Sequence, residues 1–176
     1  MMLRIENIKE SFPCVGPVMT IDTGLHTGWA CWNNVETQTI SLNWGDFTVP
    51  SRIKIFENKL EWLINGWESL LNTHLPRYIY LEGQGLWAQS ADSYASTSSG
   101  DLFRLSYITG AFAGIAIKKR MSTKIIKPQE WKGQLTKEAT MLRMIRALKM
   151  LSGFDPKTDE HSTDAIAMGL SLMGKL

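Results

Sequence analysis

The chain contains little cysteine and no long apolar run. Its two cysteines, Cys14 and Cys31, have no CxxC or Cys/His neighbour, which disfavours a disulfide framework and a structural zinc site. No apolar stretch is long enough to span a membrane, and the first 15 residues mix charges of both signs among apolar residues, unlike a signal or transit peptide. We therefore expect a protein with no membrane partner that works in a reducing cytoplasm.

Acidic residues are scarce in one part of the sequence. Residues 118–149 hold ten Lys or Arg but only Glu130 and Glu138, although the formal net charge of the whole chain is +2. The first 100 residues carry a net charge of −4, and the remainder carries +6. This basic segment favours a polyanionic partner, although a solvated face on an ordinary basic protein would have the same composition.

Neither an internal repeat nor an interdomain linker is visible. The 176 residues, of which 44% are hydrophobic and 20% charged, can bury one sizeable core without disulfides. We expect a single domain over residues 1–176, in which residues 1–15 form an N-terminal extension.

The first half of the chain is rich in predicted strands. An apolar run at 17–21 predicts a strand that ends at Asp22, and two more strands follow at 28–32 and 37–47, joined by a hairpin turn. These three strands would form an antiparallel meander.

A helix and a long loop come next. Apolar residues at helical spacing predict a helix over 53–71 that covers a sheet face, and a short strand at 78–81 then leads into Glu82. Residues 83–100 are rich in Ser, Gly and Ala and too long for a plain connector, which is typical of a functional or disordered loop.

The second half is predicted to be mainly helical. Asp101 or Ser99 can cap a helix over 101–119. A buried strand at 123–126 and a loop at 128–134 would follow. A third helix begins at Thr136 and stops near Gly153, and a fourth covers 159–173. Small residues in the helix over 101–119 would let it approach the sheet; they are Gly110, Ala111, Ala113 and Gly114. The apolar side of the helix that begins at Thr136 is formed by Met141, Met144, Ile145 and Leu148.

This order predicts an α/β fold with a mixed five-stranded sheet, three antiparallel strands followed by two parallel ones, and helices on both faces. Asp22 and Glu82 would then project from neighbouring strand ends, and His161 and Asp164 share a helix face that can close over them. Buried carboxylates are costly without a nearby cation, so their convergence indicates a shared divalent ion. The plainer alternatives are an Asx turn for Asp22, a solvent-facing strand end for Glu82 and an ordinary polar helix position for His161.

The sequence resembles the RuvC-type Holliday junction resolvases of the RNase H-like superfamily, in a divergent, bacteriophage-like form. The resemblance covers nearly the whole chain after residue 16. It is carried by the segments VMTIDTGLHTGWA (18–30), YIYLEG (78–83), LSYITGAFAG (105–114), KPQEWKGQLTKEA (127–139) and DEHSTDAIAMGL (159–170). The resemblance implies an RNase H-like fold and a cytoplasmic enzyme of a bacterium or a phage-infected host cell.

The resemblance also implies a catalytic site. Asp22, Glu82, His161 and Asp164 would ligate two Mg²⁺ or Mn²⁺ ions, which together promote phosphodiester hydrolysis that leaves a 5′-phosphate. His161 stands where family members have Asp or His, so it could bind metal or carry the proton of the attacking water.

DNA contacts follow from the resemblance and the charge pattern together. Lys127, Lys132 and Lys137 lie in the segment with which the family grips the DNA backbone. Arg143 and Arg146, continued by Lys149, would form a phosphate ridge, or else a solvated helix face. Where the family has a base-stacking aromatic, three residues after its second acid, this chain has Gly85. Trp87 and Tyr94 could take over that task, and a core position is the alternative for Trp87.

The partner implied by the resemblance is a four-way DNA junction, cut by a two-fold symmetric homodimer with paired nicks. Three other readings remain open. They are a nuclease of broader branch specificity, a binding module for branched DNA without catalysis, and an actin-like ATP-binding fold, for which the chain is too short to hold the second phosphate loop.

Overall fold

We describe a computed structural model of the chain, covering residues 2–4, 12, 15–33, 39–83, 100–149 and 160–176. Six strands and five helices lie in these ranges. The strands are β1 (Met2–Arg4), β2 (Val18–Asp22), β3 (His26–Asn33), β4 (Thr39–Thr48), β5 (Tyr78–Glu82) and β6 (Ser122–Ile126). The helices are α1 (Phe56–His74), α2 (Asp101–Lys118), α3 (Pro128–Lys132), α4 (Lys137–Lys149) and α5 (Glu160–Leu172).

All six strands belong to one sheet with the order β1-β4-β3-β2-β5-β6. Strands β2, β3 and β4 form the predicted antiparallel meander, and β5 and β6 run parallel to β2. The predicted five-stranded mixed sheet is therefore confirmed. The sixth strand, β1, comes from the expected N-terminal extension and pairs with the outer edge of β4.

Helices cover both faces of this sheet, as predicted. Side chains alternate across a strand, so Val18 and Thr20 of β2 face α4 and α5, whereas Met19 and Ile21 face α1 and α2. Each face has its own core of apolar side chains, one centred on Trp32 and the other on Trp67, whose ring stacks on Phe112 at 4.9 Å.

The helix ends differ in part from the predictions. Thr136 caps α4 through a bond from the Ala139 N–H to its hydroxyl (3.2 Å), as predicted. Asp101 does not cap α2: Gly100 occupies that position with a left-handed backbone, and Asp101 is the first helical residue. Ser99 lies outside the described residues. The segment 128–134 is not a plain loop, because Pro128 begins the short helix α3.

Three packing predictions were wrong. Strand β6 lies at the edge of the sheet and is largely exposed, since β5 is its only partner among the described strands. Gly110 and Gly114 are exposed and face away from the sheet, with no described atom close enough to contact an added Cβ, while Ala113 is buried. Met141 is 44% exposed, whereas Met144 and Leu148 form the buried side of α4.

The expectations of reduced cysteines and of no membrane-spanning segment can be compared with the described residues. Cys31 is buried and forms no disulfide, and burial raises the pKa of its thiol to about 12, so it remains protonated. Three predicted features lie outside the described residues: Cys14, the helix stop at Gly153, and the part of the hairpin turn that follows Asn33. Within the described ranges, no helix combines the length and apolar character needed to cross a membrane.

Candidate active site

Two of the predicted acids lie at the same edge of the sheet. Strands β2 and β5 are parallel neighbours in the register Val18↔Tyr78 to Ile21↔Leu81, so Asp22 and Glu82 end adjacent strands side by side. The carboxyl ends of neighbouring strands in an open α/β sheet are common ligand sites. The register of β2 and β5 therefore brings these two acids together, as predicted.

The start of α5 brings His161 and Asp164 to the same edge. A Cβ at Gly28 would lie 2.0 Å from the carbonyl group of His161, so only glycine lets the first turn of α5 rest directly on β3. Further along, the buried Thr20 hydroxyl donates to the Ala165 carbonyl (2.7 Å) and accepts from the Trp32 indole N–H (3.2 Å). These contacts hold α5 over β2 and β3.

His161 contacts Asp22 directly. The distance from His161 Nδ1 to Asp22 Oδ2 is 2.8 Å, and a carboxylate can only accept, so Nδ1 carries the proton. The imidazole also stacks on His26, with ring centroids 5.5 Å apart, and His26 in turn shares a hydrogen bond with Thr48 (3.0 Å). The carboxylate thus sets the tautomer of His161, and His26 supports the plane of its ring.

The acids repel one another across the site. Burial raises the pKa of Glu82 to about 8, and the negative charges of Asp22 and Asp164 add to the effect. Burial also raises the pKa of Asp164, again with a contribution from Asp22. Lys132 acts in the opposite direction on both Glu82 and Asp164. Burial and the neighbouring acids therefore favour a proton on Glu82 in the metal-free protein.

This donor set suits a divalent cation of the Mg²⁺ or Mn²⁺ class. Carboxylate oxygens are the preferred ligands of such hard ions, and an added positive charge would reverse the pKa shifts of Glu82 and Asp164. Among the described residues, no three His, Cys, Asp or Glu side chains are grouped tightly enough to form a finished coordination shell. The carboxylate donors thus lie at one edge of the sheet and are of the type that Mg²⁺ or Mn²⁺ prefers. Rotation of their side chains would be needed to complete a coordination shell.

Sequence reasoning missed several residues that build the site. Thr23 donates to the backbone carbonyl of Glu82 (2.8 Å), and its hydroxyl also bonds to that of Thr109 on α2 (2.8 Å). Both threonines are buried, so this pair ties the two acidic strand ends to α2. Thr23 directly follows the first acid, Asp22, and this position in the sequence could have identified it as part of the site.

Trp131 is a second missed residue. It is 5% exposed, and its indole lies close enough to Glu82 to lower the pKa of that carboxyl. The contact does not reach hydrogen-bond geometry, so the buried Nε1–H has no acceptor among the described atoms. Trp131 is therefore a close neighbour of Glu82 and not its hydrogen-bonded partner.

The predicted DNA-contacting residues fall into four groups. Lys132 and Lys137 lie near enough to Asp164 for their positive charges to lower the pKa of its carboxyl group. Lys127 precedes α3 and is exposed. Arg143 and Arg146 are exposed on α4, which fits either a phosphate ridge or a solvated face. The remaining residues, Trp87 and Tyr94, lie outside the described part of the chain, and so does the side chain of Lys149.

No family model matches the sequence, and no curated protein matches it either. Solved structures do match. Thermus thermophilus RuvC, in complex with Holliday junction substrate, has a TM-score of 0.65 and 18% identity over 88% of this chain and 90% of that chain.

Two further structures agree with this similarity. The yeast mitochondrial Holliday junction resolvase Ydc2 has a TM-score of 0.60 and 11% identity over 90% of this chain and 79% of its own. Fowlpox virus resolvase, in complex with Holliday junction DNA, has a TM-score of 0.53 and 17% identity over 90% and 99%. At these identities the similarity establishes the fold, and the chain has the RNase H-like fold of RuvC-type resolvases.

Proposed function

We propose that this chain is a divalent-metal-dependent endodeoxyribonuclease that resolves four-way DNA junctions by paired, symmetric nicks. One observation carries the proposal: three mutually repelling carboxylates and a histidine meet at adjoining ends of β2, β5 and α5, with two lysines beside them. A module that only binds DNA has no use for such acids, because they would repel the phosphates. The fold shared with solved junction resolvases supports the same proposal.

Each side chain has a role in this proposal. Asp22, Glu82 and Asp164, with His161 as ligand or proton carrier, would hold two Mg²⁺ or Mn²⁺ ions. When bound, such ions supply Lewis-acid stabilisation of the charge that develops during phosphodiester hydrolysis. Asp22 orients the His161 imidazole, and Lys132 and Lys137 are placed to attract the negatively charged phosphate.

Symmetric nicking of a four-way junction requires two active sites, and we propose that α2 forms the homodimer interface. Its outer side presents a stripe of exposed residues at helical spacing: Phe103, Tyr107, Gly110, Gly114 and Ile117. Phe103, Tyr107 and Ile117 are each more than 60% exposed, and no described atom lies within 4 Å of an added Cβ at either glycine. Large apolar side chains around small central residues favour close packing of two copies of one helix.

Replacing Gly114 with Arg places a long charged side chain at the centre of this stripe. We expect the variant to sediment as a monomer and to lose paired nicking, while its fold, measured by circular dichroism, is retained. Leu142→Glu, at a 55% exposed position on α4, is the matched control and should remain a dimer. A dimeric Gly114→Arg protein would show that the interface lies elsewhere.

The activity itself is tested on synthetic four-way, three-way, flap and linear duplex DNAs in Mg²⁺, with the nicks mapped on each strand. Paired symmetric nicks confined to the four-way DNA are the expected result. Cuts on every branched substrate would identify a debranching nuclease of broader specificity. Binding of branched DNA without any cut would identify a binding module and overturn the proposal.

A further inference from the structure

A cleft of about 520 Å³ opens next to the acid cluster and is not used by the function proposed above. Its walls are the turn between β2 and β3, the segment that leads into α1, and the first half of α2. His26 and His161 line the cleft, and the contact of His161 with Asp22 (2.8 Å) places the acids next to it. Its volume lies within the range of roughly 300–1,000 Å³ that is usual for small-molecule sites.

The charged side chains of the cleft are mainly cationic. Lys54, Lys59 and Arg104 line it, and Asp101 is the one acid among its lining residues. Arg104 bonds to Asp101 at 3.2 Å, but both side chains are 57% exposed, so this ion pair is weak. Neither lysine makes an ion pair within the described ranges. Two uncompensated cations therefore face a concave space beside a nuclease site.

The remaining wall of the cleft is apolar. Phe56, Leu25 and Leu105 contribute to it, and the Arg104 guanidinium lies 5.9 Å from the centre of the Phe56 ring. An aromatic ring with an arginine over it, flanked by aliphatic groups, is a surface on which a nucleobase can lie. Cationic and apolar walls together match a nucleotide, which has a charged phosphate and a flat base.

The cleft complements the basic groups already described. Lys132 and Lys137 belong to α3 and the start of α4, on the α5 side of the sheet, whereas Lys54, Lys59 and Arg104 belong to the α1 and α2 side. The acid cluster lies at the sheet edge between the two groups. A DNA strand that crosses the acids would therefore meet cations before and after the scissile phosphate.

We infer that this cleft binds one unpaired nucleotide of the DNA strand next to the scissile phosphate. Lys54 and Lys59 would hold its phosphate, and Phe56 and Leu105 would contact its base. A paired and stacked base cannot enter a concave site of this size, whereas a branch point can supply an unpaired nucleotide. The inference rests on the proposed nuclease function for its place in the reaction, but the cleft can be tested without any cleavage.

The probe is fluorescent octathymidylate, titrated with the full-length protein in EDTA at several salt concentrations. We expect the double variant Lys54→Ala/Lys59→Ala to bind at least about tenfold more weakly. The magnitude of the slope of log K against log salt should fall by about 0.7, since each neutralised single-strand phosphate contributes about 0.7. Lys175→Ala, which removes one cation at the far end of α5, is the control and should match the wild type.

The base contact has its own test. The wild type should prefer octathymidylate over an abasic octamer by about tenfold, and Phe56→Ala should abolish this preference. An unchanged salt slope in the lysine double variant, an unchanged preference in Phe56→Ala, or no octathymidylate binding by the wild type would overturn the inference. Equal affinity for free thymidine monophosphate would also overturn it, because the cleft would then serve a free nucleotide.

Failure of the cleft and failure of the nuclease are distinguishable. If the wild type cuts four-way DNA but the lysine variants bind octathymidylate normally, the cleft is not a strand site and the nuclease stands. If no DNA is cut yet the lysine variants lose oligonucleotide binding, the cleft stands as a single-strand site and the proposed activity fails.

Discussion

Glu82→Gln is expected to make the metal-free protein more stable at neutral pH. Burial and the neighbouring acids raise the pKa of Glu82 from 4.5 to about 8, so the folded chain retains a proton that the unfolded chain releases. Stability therefore falls as the pH rises from about 4.5 to about 8, by about 1.4 kcal/mol per pH unit at most. A neutral glutamine of similar shape removes this cost.

The size of the effect follows from the same shift. Between pH 4.5 and pH 7 the full cost reaches about 3 kcal/mol, and water entry and side-chain movement relieve part of it. We expect a gain of about 1–3 kcal/mol at pH 7, which corresponds to a rise in Tm of roughly 3–9 °C for a chain of this length. The gain should vanish at pH 4.

Thermal unfolding in EDTA, followed by circular dichroism between pH 4 and pH 8, measures this effect. Glu68→Gln, at an exposed position on α1, is the matched control and should leave the melting profile unchanged. Mn²⁺ should raise the Tm of the wild type more than that of Glu82→Gln, because a bound ion stabilises only a site that holds it. A Glu82→Gln protein no more stable than the wild type at pH 7 would refute the electrostatic reasoning.

Two further substitutions test how the site is built. Gly28→Ala should lower the Tm and abolish cleavage, because its Cβ would lie 2.0 Å from the His161 carbonyl group; Glu68→Ala, at an exposed position on α1, should leave the Tm unchanged. A fully active Gly28→Ala protein would contradict this placement of α5. Lys132→Ala/Lys137→Ala should weaken junction binding, flatten its salt dependence and slow cleavage more than Arg143→Ala/Arg146→Ala, since only the first pair lies beside the acids. Equal salt slopes in all these proteins would count against that assignment.

The sheet and the acid edge could be predicted because the signals are local. The run 18–21 is apolar and ends at an acid, and so does 78–81, and two parallel neighbours necessarily deliver Asp22 and Glu82 to one edge. The spacing of His161 and Asp164 likewise determines that they share a helix face. None of these steps needs knowledge of distant contacts.

The errors have a common physical cause: a sequence pattern shows which face of an element is apolar or small, but not which distant element packs against that face. The apolar residues of β6 predict burial, but the strand lies at the edge of the sheet. Gly110 and Gly114 predict close approach of α2 to the sheet, but they lie on the exposed side of this helix. The pairing of β1 with β4 depends on a contact between residues almost 40 positions apart.

The cleft beside the site was out of reach for the same reason. Lys54 and Arg104 are fifty positions apart and belong to elements that meet only in the folded chain. Lys54 and Lys59 also lie in the half of the sequence that carries a net negative charge, so charge counting directs attention away from them. Only the three-dimensional arrangement places them next to His161.

The most direct test of the central claim compares the wild type with Asp164→Asn on a four-way junction. We expect the wild type to cut the junction only when Mg²⁺ or Mn²⁺ is added, and Asp164→Asn to bind it with equal or higher affinity without cutting. Cleavage by Asp164→Asn at the wild-type rate would contradict the assignment of Asp22, Glu82, His161 and Asp164 as a metal-dependent catalytic site.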